Sequence, residues 1–229
     1  NRANAEGVGS VATYPFGRGG FEVSKLEEAT AKRYLPAAEL SKLKSATANN
    51  PQCEYARKLF LFSYYCYGIS FIDMAMLTAA HIKQMEDGDY IVYKRQKIKR
   101  QKGVKPISIK ITPAIRQLIE SLQAASPTVD DFLLPVVTRS GYTGERLYMH
   151  IRTRYSKYQK YLRLLAEELG IDFHLTSYVS RHTAAMTLQR NHIPREVISQ
   201  MLGHADLETT NVYLDSFDNG VINEAAKVL

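Results

Sequence analysis

The chain has 229 residues, 45% of them hydrophobic, enough apolar material for a real core and too much for a disordered polyelectrolyte. A formal net charge of +7 favours an anionic partner such as nucleic acid or an acidic membrane face. Two cysteines, Cys53 and Cys66, exclude a disulfide scaffold, and no CxxC, HExxH or glycine-rich phosphate loop occurs, so no metal or other cofactor is expected.

The opening NRANAEGVGS has no initiator Met, basic n-region or apolar h-region, so it reads as a piece of a longer protein without a signal peptide. Residues 1–27, glycine-rich around YPFGRGGF, read as a linker entering a domain. LPAAELSKLKSA (35–46) puts Pro36 at a helix start and spaces Leu40 and Leu43 three apart, predicting a short amphipathic helix. CEYARKLFLFSYYCYG predicts a long helix ending at Gly68. Ser70, with Asp73 three residues on, predicts a capped second helix. The run 59–77 is long enough to raise a membrane span, but Gly68, Asp73 and two serines interrupt it, so it reads as buried helix in a soluble core and no membrane partner is expected.

Alternating Ile91/Tyr93 and Ile107/Ile109/Ile111 predict two strands joined by a basic loop containing Gly103. Helices are expected at 113–123, 149–170, 177–190 and 194–202, the last with Val197, Ile198, Met201 and Leu202 on one side. PTVDDFLLPVV reads as an extended connector, and a short helix capped by Asp206 follows Gly203. The expected fold class is mixed α+β, mainly α-helical with a small antiparallel sheet.

Two basic elements carry the charge. The loop YKRQKIKRQKGVK holds Arg95, Lys97, Lys99, Arg100 and Lys102, and IRTRYSKYQKYLR interleaves Arg152, Arg154 and Lys157 with tyrosines. Either could be a solvated face; together they suit a phosphate backbone, where each neutralised phosphate releases counterions. Arg181 falls among Val179, Ala184, Ala185 and Leu188, so its fork is expected to be partly buried, paired with a phosphate or with a carboxylate. His204 follows a helix stop, and Tyr213 lies nine residues beyond it.

SRHTAA followed by ISQMLGHADLETTNVYL resembles the C-terminal signature of the tyrosine recombinase, or phage integrase, family: an Arg before His-Thr, a Leu-Gly-His about two dozen residues on, and a Tyr nine later. LFLFSYYCYGISFIDMAML is similar to the family's first box, and YKRQKIKRQKGVKPISI to its lysine-bearing strand–loop–strand, with Lys97 at the matching position. The resemblance covers about residues 28–217. It implies a recombinase catalytic domain preceded by a separate core-binding arm and followed by a tail, 218–229, that docks on a neighbouring protomer or packs on its own domain. It further implies Tyr213 as nucleophile, Arg181 and His204 as phosphate clamp, Lys97 as general acid and Tyr178 as a hydrogen-bond donor. The expected partners are double-stranded DNA and, on DNA, a tetramer of the chain, which alone is a cytoplasmic monomer acting at the nucleoid.

The sequence departs from the family pattern at two positions. Tyr67 stands where the first family arginine belongs, so either another cation replaces it, with Arg57 on the same helix the nearest, or activity is impaired. Tyr178 stands where most members have His; it can donate one hydrogen bond but cannot shuttle a proton near neutral pH. Two alternatives follow: a homologue that binds DNA as a regulator or excision partner without cutting it, and a type IB topoisomerase-like enzyme. The Leu-Gly-His box favours recombination over the latter.

Overall fold

The computed structural model describes residues 34–99, 101–204 and 210. Residues 1–27, Arg100, the segment around Asp206, Tyr213 and the tail 218–229 therefore lie outside the described residues.

Helix α1 (Ala37–Ser45) follows Pro36 and buries Leu40 and Leu43, as their spacing predicts. Helix α2 (Pro51–Tyr65) begins where the Asn50 side chain accepts from the Gln52 and Cys53 amides, with Pro51 in the first turn, where its missing N–H costs nothing. Its buried residues, from Cys53 to Tyr64, cover most of the helix surface and leave only a partly exposed stripe through Glu54, Lys58 and Tyr65, so it runs through the core. Around it pack α4 (Pro113–Ala125), α5 (Gly144–Glu168) and α6 (Ser177–Arg190). Ser63 Oγ ties α2 to α6 through Ser180 Oγ at 2.7 Å, and Tyr55 reaches the Pro135 carbonyl at 2.9 Å.

The end of α2 sets up the site. Tyr67 and Gly68 both take left-handed backbone, φ 56° and 72°, and the Gly68 amide bonds back to the Ser63 carbonyl at 2.7 Å. Helix α3 (Phe71–Ala75) then starts at Ser70, whose hydroxyl accepts from the Asp73 amide and donates to the Asp73 carboxylate. The capped restart predicted from Ser70 and Asp73 is present.

Strands β1 (Ile82–Met85), β2 (Gly88–Tyr93) and β3 (Ile107–Lys110) form an antiparallel sheet in that order. Register pairs Ile91 with Ile109 and Tyr93 with Ile107, which puts all four on one buried face. Strand β1 is not expected from sequence: IKQM has no apolar alternation, because the strand lies at the sheet edge with only Ile82 partly covered. Helix α5 starts at Gly144, five residues before the expected 149. Its tyrosines divide: Tyr158 is core, Tyr161 half-buried and Tyr155 exposed.

Helix α7 (Arg195–Leu202) ends at Gly203 in left-handed backbone and packs Ile198 and Leu202 against Ala185 and Met186 of α6. Val197, expected on that same side, is 44% exposed; one step along a helix turns it about 100° off the Ile198–Leu202 row. Among the described residues no helix is long and apolar enough to cross a membrane.

Candidate active site

Arg181 is built into the junction of three elements. It rides on α6 and is 4% exposed, with Nη1 donating to the Gly68 carbonyl at 3.0 Å and Nη2 to the Leu202 carbonyl at 2.5 Å. The fork thus bridges the turn after α2 to the end of α7, a span that only a planar, many-donor head can make. Of the two partners left open by the sequence, neither is the whole account, because these two backbone carbonyls hold the guanidinium in place.

Glycine is required beneath it. A Cβ on Gly68 would lie 2.6 Å from Arg181 Cβ and inside the contact radius of the Arg181 backbone, and the left-handed φ already disfavours a side chain. Gly68 is legible in the sequence as a helix stop but not as a seat for the arginine.

His204 closes the arrangement. Its Nε2 lies 2.8 Å from Arg181 Nη2 and its Nδ1 2.7 Å from Thr210 Oγ1, and Thr210 is fully buried. An arginine nitrogen can only donate, so Nε2 is the acceptor and the ring is neutral there; the proton sits on Nδ1 and points to Thr210. The backbone places this ring by ending α7 at Gly203, whose carbonyl accepts from Arg95 Nη1 at 3.2 Å.

Beside Arg181 opens a cavity of about 680 Å³, lined by Gly68, Ser70, Arg95, Arg152, Tyr178 and Arg181 among others. It joins three guanidinium-bearing side chains to aromatic and small residues. Tyr178 is 55% exposed at its rim, its ring edge-on to His182 with centroids 4.9 Å apart. A second cleft, of about 540 Å³, runs along Lys102, Lys105, Gly203 and His204, so the histidine opens onto that cleft and reaches the first cavity only through its bond to Arg181. Lys97 is exposed in the turn after β2 and is not among the residues lining the cavity with Arg181.

The basic residues named from sequence separate by role. Lys99, Lys102, Arg152 and Lys157 are exposed, as a phosphate-facing surface requires. Arg154 turns inward: its Nε donates to the Val136 carbonyl at 3.1 Å and its guanidinium lies over the Tyr55 ring. Arg57 is held away from the site, bidentate to Glu54 at 2.7 Å on each arm and bonded to the Leu43 carbonyl. It therefore does not substitute for the missing arginine. Tyr67 packs against the core and is not among the residues lining the cavity. Burial pushes its phenol pKa up, with smaller contributions from Cys66 and Tyr90.

Buried Asp73, which reads in the sequence only as a helix cap, also accepts from the Gln96 amide through Oδ1 at 2.7 Å and fixes the start of the basic loop. Nothing in the sequence spacing signals that contact, which joins residues 23 apart.

Burial and the neighbouring Arg181 charge lower the His182 pKa to about 4. A folded pKa below the unfolded value of ~6.5 means the unfolded chain binds more protons. Its contribution is complete above pH ~6.5 and is lost as pH falls towards 4. We expect about 1–2 kcal/mol to be lost over that range, allowing for solvent screening at a half-buried ring. His150, lowered by burial and then by Arg154, adds in the same direction. Melting curves between pH 7 and 5 should fall less steeply for His182→Gln than for the parent chain; equal slopes would refute the assignment.

The phage integrase family pattern matches residues 33–219. Tyrosine recombinase XerD of Brucella abortus is 30% identical over 121 residues, 50% of this chain and 36% of that protein. The fold is similar to the crystal structure of XerA recombinase, with a TM-score of 0.58 at 21% identity over 85% of this chain and 64% of that one. It is also similar to XerH site-specific recombinase bound to its difH substrate, with a TM-score of 0.59 at 19% identity over 85% of this chain and 53% of that one. In each case the match spans less than two thirds of the relative's own length. With most of its length, from 33 to 219, matched by the family pattern, the chain belongs to the phage integrase family.

Proposed function

We propose that this chain is the strand-cutting part of a site-specific tyrosine recombinase acting on double-stranded DNA. The Tyr213 phenol oxygen attacks a backbone phosphorus; the bond to the 5′ oxygen breaks and a 3′-phosphotyrosyl link forms. A phenol of pKa ~10 is a weak nucleophile at neutral pH, so its proton must be accepted and the charge growing on the phosphoryl oxygens neutralised. Arg181 neutralises that charge and His204 completes the clamp by holding the arginine's fork; the phenol proton passes to solvent water, and Lys97 gives a proton to the leaving 5′-hydroxyl. Rejoining is the same step run with another 5′-hydroxyl, which conserves the phosphoester bond and needs no high-energy cofactor. Lys99, Lys102, Arg152 and Lys157 follow the phosphate backbone, and four copies assemble on two duplexes.

The observation that carries the reading is the His204 ring held between the buried Arg181 fork and Thr210 at the edge of a basic cleft. Tyr213 is three residues from Thr210, so chain connectivity alone keeps the two Cα atoms within about 11 Å. The similar structures support the same reading, since XerH was solved with its difH substrate and the Tn1549 transposon integrase with a circular intermediate DNA.

One observation favours a second reading: Tyr67 in place of the first family arginine suits a homologue that binds DNA as a regulator without cutting it. Covalent capture decides between them. The longer protein is incubated with fragmented, nicked genomic DNA of its source, denatured, and the protein-linked DNA is sequenced. The parent protein should become linked to a recurrent sequence, while Tyr213→Phe binds DNA and links to none. Linkage that survives Tyr213→Phe would remove the nucleophile, and DNA binding with no linkage by the parent would favour the regulator.

A further inference from the structure

We infer that Arg95 supplies the second guanidinium of the phosphate clamp, in place of the arginine that Tyr67 displaces; the inference rests on the recombinase reading above. The two guanidinium heads meet at one turn. Arg181 Nη2 donates to the Leu202 carbonyl and Arg95 Nη1 to the next carbonyl along the chain, that of Gly203. Both side chains line the same cavity, as does Gly68 in the turn after α2. One is carried by α6 and the other by the residues leaving β2.

Arg95 is placed, not merely nearby. The amide of the following residue, Gln96, is pinned by buried Asp73, and Tyr93 two residues earlier is locked in the sheet opposite Ile107. Gly203 leaves room for the side chain: a Cβ there would come within 3.2 Å of Arg95 Cδ. The charges of both arginines also reach the buried Tyr93 phenol, where they oppose the upward push of burial. Among the described residues the Arg95 guanidinium makes one hydrogen bond, to Gly203, so most of its five N–H donors remain for an anion. Arg152, the other arginine lining the cavity, is exposed and has no such anchor among the described residues.

A pair of guanidinium groups around one tetrahedral oxyanion is the arrangement that neutralises charge on the non-bridging oxygens of a phosphoryl group in flight. A lysine would replace the charge at Arg95 but not the fork, so it should restore only part of the function.

The test uses inorganic tungstate as the probe, titrated calorimetrically into this chain at pH 7. Arg95→Gln and Arg181→Gln should each weaken binding at least about tenfold, Arg95→Lys less so. Arg116→Gln, which removes one positive charge from an exposed pair on α4, should bind tungstate like the parent. Melting temperatures taken alongside separate loss of the clamp from loss of the fold, and a half-buried Arg95 predicts little change in melting. Parent-like affinity in Arg95→Gln, or no tungstate binding by the parent, would overturn the inference. Failure of the wider reading looks different: tungstate held through Arg95 with no covalent DNA capture would keep the clamp and sink the recombinase. Capture through Tyr213 that survives Arg95→Gln undiminished would do the reverse.

Discussion

Gly68→Ala should be among the most damaging single-methyl changes in the chain. Alanine at φ 72° sits in left-handed backbone, which costs about 1–2 kcal/mol on steric grounds alone. Its methyl would also press on the Arg181 backbone, which cannot swing aside as a side chain would, because α6 is held on its other faces by α2 and α7. Overpacking of this kind costs roughly 1–3 kcal/mol more. The expected total of about 2–5 kcal/mol corresponds to a melting point lower by roughly 5–15 °C for a domain of this size. A second consequence is specific to the site: relief of the clash must move α6 away from the Gly68 carbonyl and so break one arm of the Arg181 fork. Thermal melting and tungstate calorimetry on the same sample test both. Gly141→Ala provides the control, since that glycine shares φ 72° but a methyl added there would have nothing within 4 Å, so it should show the backbone cost without the clash. Equal destabilisation at the two positions would mean that backbone conformation, not the seat of Arg181, is what Gly68 provides.

The parts of this architecture written in local signals were legible in the sequence. Pro36, Gly68, Ser70 with Asp73, and Gly203 mark helix ends because capping is decided within four residues. The alternation at Ile91/Tyr93 and Ile107/Ile109 marked the buried strands for the same reason. Strand β1 was not legible, since an edge strand takes its conformation from backbone pairing with β2 rather than from burial. The candidate site followed a similar division. The motif spacing singled out Arg181 and His204, and the structure brings their side chains together at 2.8 Å. The seat of Arg181 on Gly68, the hold of Asp73 on Gln96 and the meeting of Arg95 with Gly203 join residues 113, 23 and 108 apart, and no local rule encodes them. Charge counting placed Arg95 with the DNA-facing cations; only the fold shows it turned towards the same cavity as Arg181.

That shared turn ties the end of α7 to both arginines. Leu202 anchors the helix in the core, and its carbonyl and the next are each taken by a different arginine. The backbone that positions His204 is therefore cross-braced by the two cations expected to hold the phosphate. Altering either one changes the clamp and the histidine together, so effects of Arg95 and Arg181 substitutions should not add independently.

Arg181→Lys is the sharpest use of that coupling. Lysine keeps the positive charge, so a role limited to net electrostatics would leave anion binding and DNA capture nearly intact. A single ammonium cannot, however, serve the Gly68 and Leu202 carbonyls and the His204 ring at once. At least one buried carbonyl loses its partner, for about 1–3 kcal/mol of stability. The imidazole loses the Arg181 donor at its Nε2. Removing one preorganised donor from an oxyanion site typically lowers turnover about 10²–10³-fold, and here donor and histidine are disturbed together, so covalent capture should fall by at least that factor. The comparison is made at pH 7 under conditions where both proteins are folded, with DNA binding measured in parallel. Capture within tenfold of the parent would show that charge alone suffices at this position, and would remove the two-carbonyl fork from the account of how the site works.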